Sequence, residues 1–561
     1  MSFITNPVQQ MTLDDSTFHL TRRELKALEK SWAKPFAEEI FPMIDEEPFR
    51  ILYCEDNGTP NTPVNIIIGA CIIKELLDLS DDEIVEGLML DVRLQYALHT
   101  TSFEEQPLSD KSLSRFRKRC YDYYNKTGID LIHNCIVSLA KEIARVMKIT
   151  GRTRRMDSMM IDANIKKLSR LELIYTCIAN LVKRLSKESS VEIPEGLRHY
   201  AAPNDYNQVF YYAKSAGYAE RCLTLLHDAD TLFTFCGDSY TGWEEYTLFK
   251  RCMSEQTVVN DGTRRLATRE DGTMNSSMLQ NPSDPEATFR SKAGEEHRGY
   301  AANFEESVGE NGSVITDYQF EQNIYSDSQF LHDSLERMDT QEETVLLATD
   351  GAYPTHENQK LAESKNVQIV STNLTGRKAN NICADFVVNK EKTAILQCPA
   401  GIEPVSCSGP YSNGQMRAAF PAACCNNCPN RDKCPAKIGK RVSTAVISAS
   451  SISRAQTQRH IQGEEGKNFS KFRNGVETIP SLLRRIYRAD SLPRGKTQGS
   501  LFFGFKIGAL NFRKLFTYRT GSGRYAQNPV SNKSGLPYTP VTLVPRRTDP
   551  GSSRFAVFQP C

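Results

Sequence analysis

No stretch of the 561-residue sequence reaches the roughly 18 to 20 apolar residues that a membrane helix needs. The longest candidate, Val64 to Ile73, is broken by Asn65 and Gly69. The opening MSFITNPVQQ lacks a basic stretch followed by an apolar one, so no secretory signal is expected. A P-loop and a dinucleotide fingerprint are also missing, which leaves no sign of a nucleotide cofactor. These absences point to a cytoplasmic protein, where the 16 cysteines are expected to be reduced or metal-bound rather than paired. With 39% hydrophobic and 24% charged residues the chain can bury a real core, and its length suits two to four units.

Net charge is nearly absent too, at +1, but that figure hides a split. Residues 435–561 hold 22 Lys+Arg against 5 Asp+Glu, leaving 47 basic and 63 acidic side chains for the rest. A basic C-terminal quarter suits a polyanion, with nucleic acid the first candidate; docking on the acidic remainder is the plainer alternative.

Residues 1 to about 150 read as helical. Thr62-Pro63 looks like a cap and first-turn proline for a helix over Val64–Leu77, and Ser80-Asp81-Asp82-Glu83 is a capping box. A third helix starting near Ser109 puts Leu113, Phe116, Cys120 and Tyr123 on one face. Arg115, Arg117, Lys118 and Arg119 lie largely off it, a basic face for DNA or simply a solvated one. The run Arg155 to Ile161 has strand character with a carboxylate inside it. Leu171, Ile174, Ile178, Leu181 and Leu185 then form a helical packing seam, and helical pattern continues to about Cys252 before a polar loop.

Beyond His297 the pattern turns to strands. Gly299 to Thr316 reads as a hairpin and Asp327 to Met338 as a helix. Thr344 to Asp350 is an apolar run ending in a carboxylate, as a buried strand would be. A helix over His356–Ser364 and a strand over Val367–Thr372 complete an alternation that means an α/β core. Helices resume from about Ser451 to Leu515, and the tail from Thr520 is polar and basic.

Cys425-x2-Cys428-x5-Cys434, with Cys398 upstream, offers four thiolates, the set a structural Zn²⁺ takes. Cys424 could stand in for Cys425 and Cys407 for Cys398; free thiols and an iron–sulfur site are the alternatives. Three carboxylates stand out as well. Asp157 lies within the first strand, Asp350 ends a buried one, and Glu477 sits in a basic helix. Hard oxygens of this kind hold paired Mg²⁺ ions about 3.5–4 Å apart for phosphoryl transfer. Asp162 competes for the first position, but its opposite strand parity turns it to the other face.

The motifs around these acids resemble those of the DDE transposases of bacterial insertion sequences, in the group whose third motif is written Y-x2-R-x3-E-x6-K. Arg473 and Glu477 fit it, Arg484 stands where that motif has Lys, and Ser470 stands at the Tyr position. Asp157-Ser158-Met159-Met160-Ile161-Asp162-Ala163 is similar to D-S-T-x-I-x-A except at Met159, and Asp350-Gly351-Ala352-Tyr353 matches D-G-A-Y. Gln280 to Pro285 with Lys292, His297 and Tyr300, then Asn511 to Leu515, and the N-terminal stretch Tyr53 to Arg119 extend the likeness to about residues 30–520.

The resemblance implies an RNase H-like catalytic core with helical and cysteine-rich insertions, behind an all-α N-terminal domain. The expected units are a DNA-binding domain at 1–150 and the first part of the core at 151–379, with a helical insertion at about 165–260. A zinc-ribbon-like insertion at 380–440, the rest of the core at 441–519 and a weakly ordered basic tail at 520–561 follow. It also implies an acid triad of Asp157, Asp350 and Glu477 with two Mg²⁺ or Mn²⁺ ions, and phosphate or flanking-DNA contacts by Arg473 and Arg484. The activity implied is cleavage of double-stranded DNA at element ends and strand transfer, by a dimer on DNA associated with the nucleoid. A metal nuclease without rejoining, a non-catalytic DNA-binding regulator and a zinc-dependent structural or RNA-binding protein are the competing classes.

Overall fold

The run Arg155 to Ile161 is the middle of a longer strand, β1 (Thr153–Asp162), which is buried on both faces. Met159 and Ile161 point into one core and Met156 and Met160 into another, so the strand belongs at the centre of a sheet. In this computed structural model the described residues are 1–6, 16–54, 58–102, 106–188, 191–211, 217–292, 294–373, 380–389, 393–412 and 414–521. Apart from its first two residues, the tail expected at 520–561 lies outside them.

The sheet around β1 has six strands: β2 (Thr288–Lys292), β3 (Glu295–Gly309), β4 (Gly312–Gln322), β5 (Val345–Thr349) and β6 (Val367–Ser371) are the others. β3 pairs antiparallel with β1, β2 and β4, while β5 runs parallel to β1 and β6 parallel to β5. The long strands therefore lie in the order β4-β3-β1-β5-β6. The expected hairpin is β3–β4.

Four N-terminal helices, α1 (Val64–Leu77), α2 (Asp81–Leu90), α3 (Asp110–Thr127) and α4 (Leu131–Val146), cover one face. The capping box at Ser80 and Glu83 forms, and Ser109 caps α3. The start of α1 differs from expectation. Pro63 makes no side-chain cap, and the Glu46 carboxylate instead accepts from the Val64 and Asn65 amides at 2.7 and 3.2 Å. These helices have no core of their own. Trp32, Ile67 and Ile136 share one cluster with Tyr318 of the sheet and Phe512 near the C-terminus, and the Phe36 and Phe512 rings meet at 5.1 Å.

Between β1 and β2 the chain makes a separate helical unit: α5 (Arg170–Leu185), α6 (Tyr218–Cys236) and α7 (Glu244–Gln256), packed about Ile178, Leu181, Leu232 and Phe249. The polar loop expected after Cys252 contains a small hairpin, Thr257–Asn260 with Thr263–Leu266. Asn281 closes the neck of this unit by donating to the Lys166 carbonyl at 2.9 Å.

On the other face α8 (Asp327–Arg337) and α9 (His356–Ser364) pack on Met156, Leu347 and Val367. The cysteine-rich segment folds around a small sheet, β7 (Ser406–Ser408), β8 (Gln415–Pro421) and β9 (Val442–Ser448), so strand pairing carries it past residue 440 to Ser448. The closing helices are α10 (Ala449–Gln462), α11 (Glu464–Asn474), α12 (Thr478–Arg485) and α13 (Lys496–Arg519). Asn511 of α13 acts as a strand in miniature. Its amide bonds both N and O of Ile315 (2.9 and 2.8 Å), beside the register shift between β3 and β4. No helix among the described residues is long and apolar enough to cross a membrane.

Candidate active site

Asp157 and Asp350 both lie just past the last paired residues of two adjacent parallel strands. Arg155 of β1 pairs with Ala348 of β5, and each acid lies two residues further along these parallel strands. Asp350 leaves β5 directly after Thr349, and the tight Gly351 turn returns Tyr353 to donate to Asn303 of β3 at 2.8 Å. Gly351 is required there, since a Cβ would meet the Asn373 carbonyl oxygen at 2.4 Å.

The third acid arrives from α11. Phe469 and Phe472 press that helix onto Ala348 and Val370, and Ser470 donates to the Thr372 carbonyl at 3.1 Å. Ser470, at the tyrosine position of the motif, thus tethers helix to sheet. Glu477 lies in a helical stretch, where the α-helical geometry gives way to a 3-10 turn. It ends a 3-10 turn, Gly475–Glu477, between α11 and α12. Gly475 passes so close to Arg155 that a Cβ would sit 2.1 Å from Nη1.

Arg473 joins first and third acids. Its Nη2 stands 2.6 Å from Asp157 Oδ1 and its Nη1 3.5 Å from Glu477 Oε1. The Arg473 and Asp157 side chains are only 10% and 15% exposed, whereas Glu477 is 62% exposed. Burial pushes the Asp157 carboxyl above its ordinary value, opposed by the Arg473 charge and by the Ser158 amide that Asp157 accepts. Among the described residues no three His, Cys, Asp or Glu side chains are gathered closely enough to hold a metal ion. The donors themselves suit hard divalent cations, and a guanidinium already occupies the space between two of them.

The remaining candidates divide. Arg484 Nη2 donates to the Met160 carbonyl of β1 at 2.5 Å and its Nε faces Asp490 at 3.4 Å. Asp162, at the far end of β1, pairs with His297 at 3.3 Å and is not brought to Arg473. On α3, Arg115 and Lys118 are exposed, and Arg119 lies over the Tyr53 ring. Arg117 turns inward, ion-paired with Asp81 and stacked at 5.0 Å over Phe502, so it serves the core rather than the outer face. Cys398, Cys425, Cys428 and Cys434 line one small cavity with Phe386 and Phe420. Cys424 is exposed and does not line it, and the Cys407 sulfur takes the Ile395 amide.

Sequence reasoning passed over Arg155, whose side chain is almost completely buried. An arginine directly before Met156, in a strand that also carries Met159, Met160 and Ile161, was the available signal. It also missed Asp327, which accepts from the Ser158 hydroxyl at 2.7 Å behind Asp157.

Two stretches of the chain match family models, and both describe transposases. Residues 24–119 match a transposase domain (DUF772), and residues 397–516 match a transposase DDE domain. Both matches support a DDE transposase of the insertion-sequence type, and together they span 216 of the 561 residues. The first match takes in α1 to α3 up to Arg119. The second takes in the four cavity cysteines, Arg473, Glu477 and Arg484. Asp157 and Asp350 lie between the two, in β1 and directly after β5. No curated protein and no solved structure matches the chain.

Proposed function

We propose that this transposase cuts DNA at the ends of its element and joins the freed 3′-hydroxyl to target DNA, using Asp157, Asp350 and Glu477 to hold two Mg²⁺ or Mn²⁺ ions in an RNase H-like core. The observation that carries this reading is the placement of Asp157 and Asp350 two residues past the paired Arg155 and Ala348 of adjacent parallel strands, with Glu477 tied to Asp157 through Arg473. The strand order β4-β3-β1-β5-β6, three antiparallel strands followed by two parallel ones, supports the RNase H-like assignment.

Bound divalent ions supply activation of the attacking oxygen and stabilisation of the leaving oxygen. The chain supplies position. β1 and β5 fix two acids rigidly, and the α11 turn brings a third that is free to adjust. Arg484, Arg115, Lys118 and Arg119 are proposed phosphate contacts, with a dimer holding the two ends. A structural Zn²⁺ on Cys398, Cys425, Cys428 and Cys434 belongs to the same reading, because the four residues line one small cavity and four thiolates are the ligand type structural zinc takes.

The test is cleavage of DNA carrying the flanks of this reading frame, with Mg²⁺ or Mn²⁺, comparing wild type with Asp350→Asn and Glu477→Gln. Metal-dependent 3′-hydroxyl ends from wild type alone, followed by joined products, are expected. Cutting without joining would make the protein a nuclease, and cutting by both variants would rule out this triad.

A further inference from the structure

The cation between Asp157 and Glu477 in this structure is an arginine. The two outer nitrogens of the Arg473 guanidinium each face one acid, at 2.6 Å and 3.5 Å. A Mg²⁺ ion draws its oxygens to about 2.0–2.1 Å, which leaves no room for a guanidinium between them. The two occupants are therefore alternatives.

Several features make the arginine's seat a temporary one. Its Nε is buried without a hydrogen-bond partner, so this orientation leaves a buried donor unmet. The contact to Glu477 is at the outer limit of a hydrogen bond, and that carboxylate is mostly in solvent. The Asp157 end is short and buried, so the arginine stays only while a buried carboxylate needs a positive neighbour. The same planar fork fits phosphate oxygens as well as carboxylates.

We propose that Arg473 is a placeholder. In the DNA-free protein its guanidinium neutralises Asp157 and Glu477 where a divalent ion would bind, and a DNA phosphate draws it away so that ion and DNA load together. This rests on the reading of Asp157, Asp350 and Glu477 as ion-binding acids. Such coupling keeps the acids poorly loaded until DNA is in place.

The experiment is Mn²⁺ titration of the full chain without DNA, followed by electron paramagnetic resonance of the free ion. Wild type, Arg473→Gln, Arg473→Lys and each of these with Asp157→Asn are compared, folding being checked by circular dichroism. Arg473→Gln is expected to bind Mn²⁺ at least about tenfold more tightly than wild type, a gain that Asp157→Asn abolishes. Arg473→Lys, which keeps the charge but cannot fork across two carboxylates, is expected in between. If the Gln variant does not fold, the Lys variant carries the test. Asp157-dependent affinity no higher in the folded variant than in wild type overturns the placeholder and leaves the acid site standing. If no chain shows Asp157-dependent Mn²⁺ binding, with or without a DNA duplex, the ion-binding reading itself falls.

Discussion

Arg155 Nη1 donates to the carbonyl of Phe472 at 2.7 Å, so the strand that bears Asp157 grips the end of the helix that delivers Arg473 and Glu477. The other side of the same guanidinium holds Glu306 at 2.5 Å, and Lys514 of α13 closes on that carboxylate at 2.5 Å. Burial alone would raise the Glu306 carboxyl, but Arg155 and Lys514 win and hold it at about 2. Three buried charges of this kind are stable only as a complete set. They clamp β1, β3, α11 and α13 around the acids.

Gly475→Ala should loosen that clamp. Its new Cβ would overlap Arg155 Nη1, so either the guanidinium or the turn must move. A loss of about 1–3 kcal/mol in urea unfolding is expected, the usual cost of overpacking. DNA cleavage should fall further than DNA binding. Unchanged stability and cleavage would show that Arg155 does not fix the turn.

His133 gives the fold a pH signature. It lies on α4 and meets Asp317 of β4 at 2.9 Å. Burial works against its charged form, but Asp317 prevails and the pKa is raised above the ordinary value. A raised histidine contributes stability that is fully present below about pH 6.5 and is lost as pH rises through the folded-state value. Melting temperature should therefore fall by on the order of 1–2 °C across that window, and His133→Gln should remove this component. A pH slope identical in the variant would assign the effect elsewhere.

The cysteine cavity predicts one zinc per chain by elemental analysis of the native protein. Cys428→Ser with Cys434→Ser should abolish it and make residues 380–448 sensitive to protease, since metal binding and folding are coupled in such small units. Native protein without zinc, or zinc retained by the double variant, would rule the site out.

Much of the fold is legible locally. The helix His356–Ser364 has the bounds its pattern suggests, and β5 follows from its apolar run to Asp350. What eluded the pattern depends on distant partners or on a signal passed over. Glu46 caps α1 from 18 residues away, which no local motif announces. Arg117 looks like any other basic residue of α3 until Asp81 and Phe502 are placed beside it. The hairpin at 257–266 could have been read from Asp261-Gly262 between two β-favouring runs. At the site, the acids stand out by motif, but the Arg155 clamp needs the fold, because its partners are over 150 residues away.

Gly299 pairs with Asp162 and also with Thr288. The chain therefore leaves the sheet for the helical unit and comes back to it beside a single residue. That residue cannot carry a side chain, for a Cβ there would lie 2.5 Å from the Ala163 nitrogen. The exit and return points are bridged by one strand, so the ladder is indifferent to how much polypeptide hangs between them. The helical unit is in this sense a cassette. A different length or kind of module could be threaded at the same doorway, and the central sheet would register no change in its own hydrogen bonds.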